Sequence, residues 1–239
     1  MELSIIIPAY NEAGSIAAVL EEIPVLPNSE VIVVDGGSTD GTTVIAREHG
    51  AKVLVEPRRG YGQACAVGVD AAAGEVCVFL DADGADDPSY IPQLLRSLRS
   101  ETADLVLCSR LTAELDPGVM PWHQRAGNQL AAMLINQLYG CNLTDLSPMR
   151  AVVRKKLAAL GMQEMTYGWP TEMIVRAARA NWLIIEVPVI YRARYAGRSK
   201  ISGTLRGTIL AAYYILSTIF RSLRIADQDP SQQEMHSDR

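Results

Sequence analysis

Two periods of apolar spacing alternate along the first hundred residues. Short runs at 3–7, 31–34, 52–55, 76–80 and 105–108 are apolar almost throughout, the pattern of strands covered on both faces. Between them, residues 14–23, 40–49, 61–73 and 88–100 carry helical spacing and much alanine. This rhythm predicts an α/β fold, a mostly parallel sheet with helices on both faces. Ligands of such sheets bind beyond the carboxyl ends of the strands. That draws the reading to residues 8–12, 35–40, 56–62 and 81–87.

After Arg110 the rhythm changes. Residues 122–139 form a long helical pattern, 157–160 a short one and 171–180 another, and 182–190 are β-rich. No proline- or serine-rich linker separates this half, so it is expected to pack onto the same sheet. Residues 207–220 hold no charge and are flanked by Arg206, Arg221 and Arg224. A spanning helix needs ~20 apolar residues. This one reads instead as an interfacial helix with basic ends, or as a packing or dimerisation helix. The expected organisation is one domain over 1–204, an apolar helix over 205–224 and a disordered polar tail over 225–239.

Composition narrows the function classes. Of 239 residues, 49% are apolar and 21% charged, enough for a substantial core, and the net charge of −5 argues against a nucleic-acid binder. The first residues carry neither a basic leader nor a cleavage site, which predicts a cytoplasmic location. Cys65, Cys77, Cys108 and Cys141 have no C-x-x-C spacing and read as reduced core thiols. With His49, His123 and His236 far apart, a histidine zinc site or a Ser-His-Asp hydrolase has little support.

Three acidic loops follow three strands: Asn11-Glu12, Asp35 to Asp40, and Asp81-Ala-Asp83. One acidic turn alone is a helix cap or a solvated loop. Three at one sheet edge point to a hard divalent cation, Mg²⁺ or Mn²⁺, bridging a carboxylate to a substrate's phosphates. Gly60-Tyr-Gly62 lacks a third glycine and follows the third strand, so it is no dinucleotide fingerprint. No glycine-rich, lysine-containing loop follows the first strand, which counts against a nucleotidyltransferase. From Val187 to Ala226 there is no acidic residue, while Arg192, Arg194, Arg198, Lys200, Arg206, Arg221 and Arg224 are basic. Such a segment attracts a donor diphosphate, a lipid phosphate or anionic headgroups, or forms a solvated basic face. Gly197 and Gly203 bracket Arg198 and Lys200 as a candidate closing loop.

These motifs resemble the inverting family 2 glycosyltransferases of GT-A fold: Pro8-Ala-Tyr-Asn-Glu12, Asp35-Gly-Gly-Ser-Thr-Asp40, Arg59-Gly-Tyr-Gly62 and Asp81-Ala-Asp83. Arg125-Ala-Gly-Asn128, Asp145-Leu-Ser-Pro-Met-Arg150, the stretch around Glu172 and Gly197-Arg-Ser-Lys200 extend the resemblance to the polyprenyl-phosphate (dolichol-phosphate) sugar synthases. The resemblance implies transfer of a hexose from a GDP-mannose or UDP-glucose type donor to a polyprenyl phosphate. It implies that Pro8, Tyr10, Glu12 and Asp35 line a nucleobase pocket, that Asp81 touches the nucleoside and that Asp83 holds the metal. Arg110, Arg125, Arg198 and Lys200 would contact the nucleotide sugar. A polar metal ligand common two places after the second Asp is Ala85 here, followed by Asp86 and Asp87. A phosphate acceptor needs no strong base, whereas a soluble hydroxyl acceptor requires a carboxylate. Asp145 and Glu172 are the candidates, each either catalytic or structural, buried against Arg150 or Arg176. A nucleotide-sugar-binding subunit without activity is the remaining alternative. The implied location is cytoplasmic, with contact to the inner membrane face or a homo-oligomer formed through the apolar helix.

Overall fold

The computed structural model describes residues 2–100, 102–111, 119–196 and 205–226. The candidate closing loop with Arg198 and Lys200, and the tail expected to be disordered from residue 227 onward, lie outside the described residues. One seven-stranded sheet organises the chain in the order β3-β2-β1-β4-β6-β5-β7. Its strands are β1 (Leu3–Ala9), β2 (Ser29–Asp35), β3 (Lys52–Val55), β4 (Val76–Phe79), β5 (Leu105–Ser109), β6 (Arg150–Val153) and β7 (Ile184–Pro188). Only β6 runs antiparallel to its neighbours.

Both faces of the sheet are covered, which is why the strands read as unbroken apolar runs. On one face Ile6, Ile32, Val34 and Phe79 pack against α3 (Tyr61–Ala71), α5 (Trp122–Tyr139) and α7 (Trp169–Arg179). On the other, Ile5, Ile7 and Val33 meet α1 (Ile16–Glu22) and α4 (Ile91–Ser100). Helices α2 (Thr42–Glu48) and α6 (Arg154–Ala159) complete the layers. The second half does add to the same sheet, through β6 and β7.

Strand β6 is absent from the sequence reading. Its apolar core is three residues, Ala151 to Val153, between Arg150 and the Arg154-Lys-Lys156 run, too short for either period to register. It forms because β4 and β5 both present open edges to it.

The apolar helix is α8 (Leu205–Ala226). Among the described residues no helix is long and apolar enough to cross a membrane. Its end docks on its own chain: Thr218, Ile219 and Ser222 are buried, Arg179 donates to the Ser222 carbonyl at 3.0 Å, and Arg221 pairs with Glu164 at 2.7 Å. Arg221, though exposed, is thus paired within its own chain.

Two glycines in α3 set how closely this layer seats. A Cβ on Gly68 would meet Ile6 Cγ2 at 2.4 Å, and one on Gly62 would meet the Glu164 carbonyl oxygen at 2.5 Å. Gly62→Ala collides with backbone, which yields less than a side chain. It should lower the free energy of unfolding by ~1–3 kcal/mol, read as a lower urea midpoint at unchanged slope.

Candidate active site

The loops after β1 and β2 are knitted together by side chains that stand in for missing backbone partners. Asn11, at φ 51°, sits in the left-handed region, accepts from the Thr39 amide at 2.9 Å and donates its own amide to Ser38 Oγ at 2.7 Å. The Glu12 amide donates to Thr42 Oγ1 at 2.9 Å and the Ala13 amide to Asp40 at 3.0 Å. Asp35 is buried, and its carboxylate accepts from the amides of Gly37 and Ser38 at 3.0 and 2.9 Å and from the Ser38 hydroxyl. It shapes the loop and does not line the adjoining cavity.

That cavity, about 300 Å³, is bounded by Pro8, Tyr10, Glu12, Gly36 and Arg59, and reaches Asp81 and Asp83. The Arg59 guanidinium lies 5.4 Å from the centre of the Tyr10 ring. A second cavity of about 300 Å³ starts at the same carboxylates and continues past Asp86 and Arg110 toward Leu130, Ile215 and Leu216 on α5 and α8. Tyr61, Asp81, Asp83, Tyr167 and Arg194 line both. The β4 loop is thus the place where the two spaces join.

The carboxylates at this junction differ in environment. Tyr61 donates its hydroxyl to Asp81 at 3.0 Å. Burial, then the charge of Asp83, pushes the Asp81 carboxyl up to about 7. Asp83 accepts from the Ala85 amide at 2.9 Å and pairs with Arg194 at 2.8 Å. Asp86 is 2% exposed and its Oδ1 has no hydrogen-bond partner among the described residues. Burial, then the charge of Asp81, raises it to about 8. Among the described residues no three metal-ligating side chains gather at one point.

Asp145 and Glu172, the candidate bases, are both committed to other contacts. The Asp145 carboxylate accepts from the Arg110 side chain at 2.7 and 3.0 Å, the Arg110 amide at 3.1 Å, Asn128 at 3.0 Å and the Leu146 amide at 2.8 Å. Burial would raise its pKa, but the charge and hydrogen bonds of Arg110 outweigh this and hold it below the usual carboxylate range. Its partner is Arg110 rather than Arg150, which is fully buried and donates instead to the carbonyls of Ser147, Pro148 and Pro170. Glu172 accepts from the amides of Gln163 and Glu164 at 2.9 and 2.7 Å and pairs with Arg176 at 2.8 Å. It anchors the 161–165 turn and lies outside both cavities.

Of the basic candidates, Arg110 and Arg194 line the second cavity, whereas Arg125 is exposed on α5 and lines neither. Three arginines of the acid-free stretch are engaged by carboxylates. Arg192 pairs with Asp87 and Glu22, Arg194 with Asp83, and Arg221 with Glu164. The sequence reading missed Tyr61 and Tyr191 as lining residues, and Glu186, which accepts from Thr144 and the Asp145 amide. A tyrosine carries no chemical signal of its own in a sequence, even Tyr61 inside the Arg59-Gly-Tyr-Gly62 motif, whereas Glu186 stands out as the one acid of β7.

The family model for glycosyl transferase family 2 matches residues 4–160. The chain belongs to glycosyltransferase family 2. An uncharacterized glycosyltransferase of Mycobacterium tuberculosis is 40% identical to it over 210 residues, 87% of this chain and 94% of that protein. A dolichyl-phosphate hexose transferase of Haloferax volcanii is 33% identical over 227 residues, 94% of this chain and 97% of that one. Glucosyl-3-phosphoglycerate synthase of Mycobacterium tuberculosis, solved with Mn²⁺, UDP and glucosyl-3-phosphoglycerate, is 26% identical with a TM-score of 0.76, covering 92% of this chain and 79% of its own. The sheet and its flanking helices are those of the GT-A glycosyltransferases.

In this family 2 enzyme, removing the charge of Asp145 strands a buried guanidinium. Asp145→Asn should cost ~3–5 kcal/mol of stability. Because the native pKa is depressed, the pair stabilises fully above the ordinary aspartate pKa of ~3.9 and is lost as pH falls through the lower native value. Acid unfolding curves of the variant should lack that contribution. A variant of unchanged stability but reduced turnover would assign Asp145 to chemistry instead.

Proposed function

We propose that this glycosyltransferase transfers a hexose, with inversion, from a nucleoside-diphosphate hexose to a polyprenyl phosphate at the inner face of a membrane. The observation that carries the reading is the course of the second cavity, from the Asp81–Asp83 junction to apolar side chains of α5 and α8. A sugar phosphate needs the polar end of such a space, and an isoprenoid chain needs the apolar end.

The nucleoside occupies the first cavity, beside Tyr10 and the Arg59 guanidinium. Its diphosphate lies at the junction with Mg²⁺ or Mn²⁺, as Mn²⁺ and UDP accompany the related synthase. The residues fit such a cation. A hard cation on a diphosphate takes only one or two carboxylates and fills its shell with phosphate and water oxygens. Asp83, which already carries a positive group in Arg194, supplies the protein ligand, with Asp81 beside it. When bound, the cation supplies positive charge against the departing diphosphate. Arg198 and Lys200 are assigned to the donor phosphates by the family resemblance.

The acceptor's phosphate is already anionic near neutral pH, so no side chain has to remove a proton from it. The engagement of the Asp145 carboxylate by five N–H donors fits that chemistry better than a hydroxyl acceptor. Arg110, held flat by Asp145 and by the Tyr191 ring 5.0 Å away, orients the incoming phosphate. Leu130 and Leu216 of the cavity lining are themselves partly open to solvent, and beyond the cavity Trp122 and Met133 of α5 and Leu210, Tyr213 and Phe220 of α8 are exposed. Residues 1–204 thus act as the transferase domain and α8 as its interfacial helix, with an apolar face that continues from the cavity lining onto the lipid surface.

The test uses detergent-free protein with Mn²⁺ and either UDP-glucose or GDP-mannose. Labelled hexose should pass to undecaprenyl phosphate in vesicles and not to 3-phosphoglycerate. Leu216→Asp should lower transfer to the lipid at least about tenfold, because an isoprenoid chain bound there would bury the new charge against hydrocarbon, while leaving UDP or GDP affinity unchanged. Transfer to 3-phosphoglycerate with none to lipid contradicts the lipid acceptor and favours a soluble phosphate one.

A further inference from the structure

Asp86 lines the second cavity. Its backbone pairs with Tyr191 as an isolated antiparallel bridge, and the next strand of contact is the Arg192 amide donating to the Ala85 carbonyl at 3.0 Å. The residue is thereby fixed in place, 2% exposed, with Oδ1 lacking any donor among the described residues. A buried carboxylate oxygen without a partner is costly. It persists where a ligand completes it. The adjacent carboxylates are not in this position: Asp83 has the Ala85 amide and Arg194, and Asp81 has Tyr61.

Asp86 lines only the second cavity, not the nucleoside cavity, and lies beyond the junction from the donor's base. On the donor reading above, on which this inference rests, the group that projects past the diphosphate into that space is the transferred sugar. We propose that Asp86 is the residue that receives a hydroxyl of the donor hexose and so sets which sugar is accepted. Oδ1 is turned away from the open cavity as it stands. A turn of the carboxyl about its soft terminal torsion presents it to a hydroxyl there. The hydroxyl supplies the missing donor in either protonation state, since one oxygen can accept while the other carries a proton. A phosphate oxygen has no hydrogen to give it. The cation is assigned to Asp83, which opens on both cavities, whereas Asp86 lines only the second. Asp86 would act as a specificity residue: a site built to bond a hydroxyl rejects the analogue that lacks it, because the buried oxygen is then left unpaired.

The experiment measures binding, in Mn²⁺, of UDP, GDP, UDP-glucose and GDP-mannose to the wild type, Asp86→Asn and Asp86→Ala, with thermal melts to establish folding. Whichever nucleotide sugar the wild type prefers is then tested as its 2-, 3-, 4- and 6-deoxy analogues. The expected result is nucleoside-diphosphate affinity within about twofold in all three proteins, and a loss of roughly tenfold or more for the sugar nucleotide in Asp86→Ala. One deoxy analogue should bind the wild type and Asp86→Ala equally weakly. Asp86→Asn, which keeps the shape and still accepts a hydrogen bond, separates a folding defect from a lost contact and should retain part of the preference. Equal weakening of UDP or GDP and sugar nucleotide, restored by added Mn²⁺, would overturn the inference in favour of a metal ligand. Unchanged discrimination among the deoxy analogues would overturn it in favour of a buried structural residue. If the wild type binds none of the four, the donor reading itself fails, and this inference with it.

Discussion

Keeping several carboxylates out of water at one edge of the sheet is the constraint on which this structure depends. Asp35, Asp83, Asp86 and Asp145 are all buried at or beside the carboxyl ends of the strands, and each ionised carboxylate moved out of water needs a partner. Asp35 is answered by turn amides, Asp145 by Arg110, and Asp83 by Arg194. Asp81 and Asp86 are answered incompletely, and their pKa values rise as a result. An acid with a raised native pKa costs stability progressively as pH climbs from its ordinary value toward the native one. The fold tolerates that cost at the junction of the two cavities, where substrate groups would relieve it.

The surrounding layers supply the rigidity this needs. Strand β6, inserted antiparallel between β4 and β5, brings Arg150 into the core below the Asp81 loop, where its charge lies close to Tyr61 and Asp81 and its donors are used on three carbonyls. Glu172 fixes the turn that leads to Tyr167, and Tyr167 meets Tyr214 of α8 at 6.5 Å between ring centres. With Arg221 on Glu164 and Arg179 on the Ser222 carbonyl, helix α8 is joined to the rest of the chain by these side-chain contacts and by the buried residues of its last turns. The helix proposed to meet the lipid is thus part of the same packed unit as the acidic junction.

Much of this was legible in the chain. β1 to β5 announced themselves as apolar runs and β7 as part of a β-rich stretch, and the acidic loops fell at the expected ends. What stayed hidden was set by tertiary contact. β6 owes its existence to two waiting strand edges, not to its own three apolar residues. Asp145 stands in a motif that names chemistry, yet its role is decided by Arg110, 35 residues earlier, a pairing no local spacing encodes. The seven positive charges of the last stretch suggested an open phosphate trap, but three of them, Arg192, Arg194 and Arg221, are in ion pairs with Glu22, Asp83, Asp87 and Glu164. Asp86 was visible only as a neighbour of Ala85, and its unpartnered oxygen is a property of burial.

The central claim is that the β4 carboxylates join a nucleotide cavity to an acceptor cavity through a cation held on Asp83. Calorimetric titration of UDP-glucose and GDP-mannose into the protein, with and without Mn²⁺, for the wild type and Asp83→Ala, tests it most directly. The account predicts binding of one nucleotide sugar that requires Mn²⁺ in the wild type and is lost in a folded Asp83→Ala variant. Binding of equal strength without metal, or undiminished metal-dependent binding by Asp83→Ala, would contradict it.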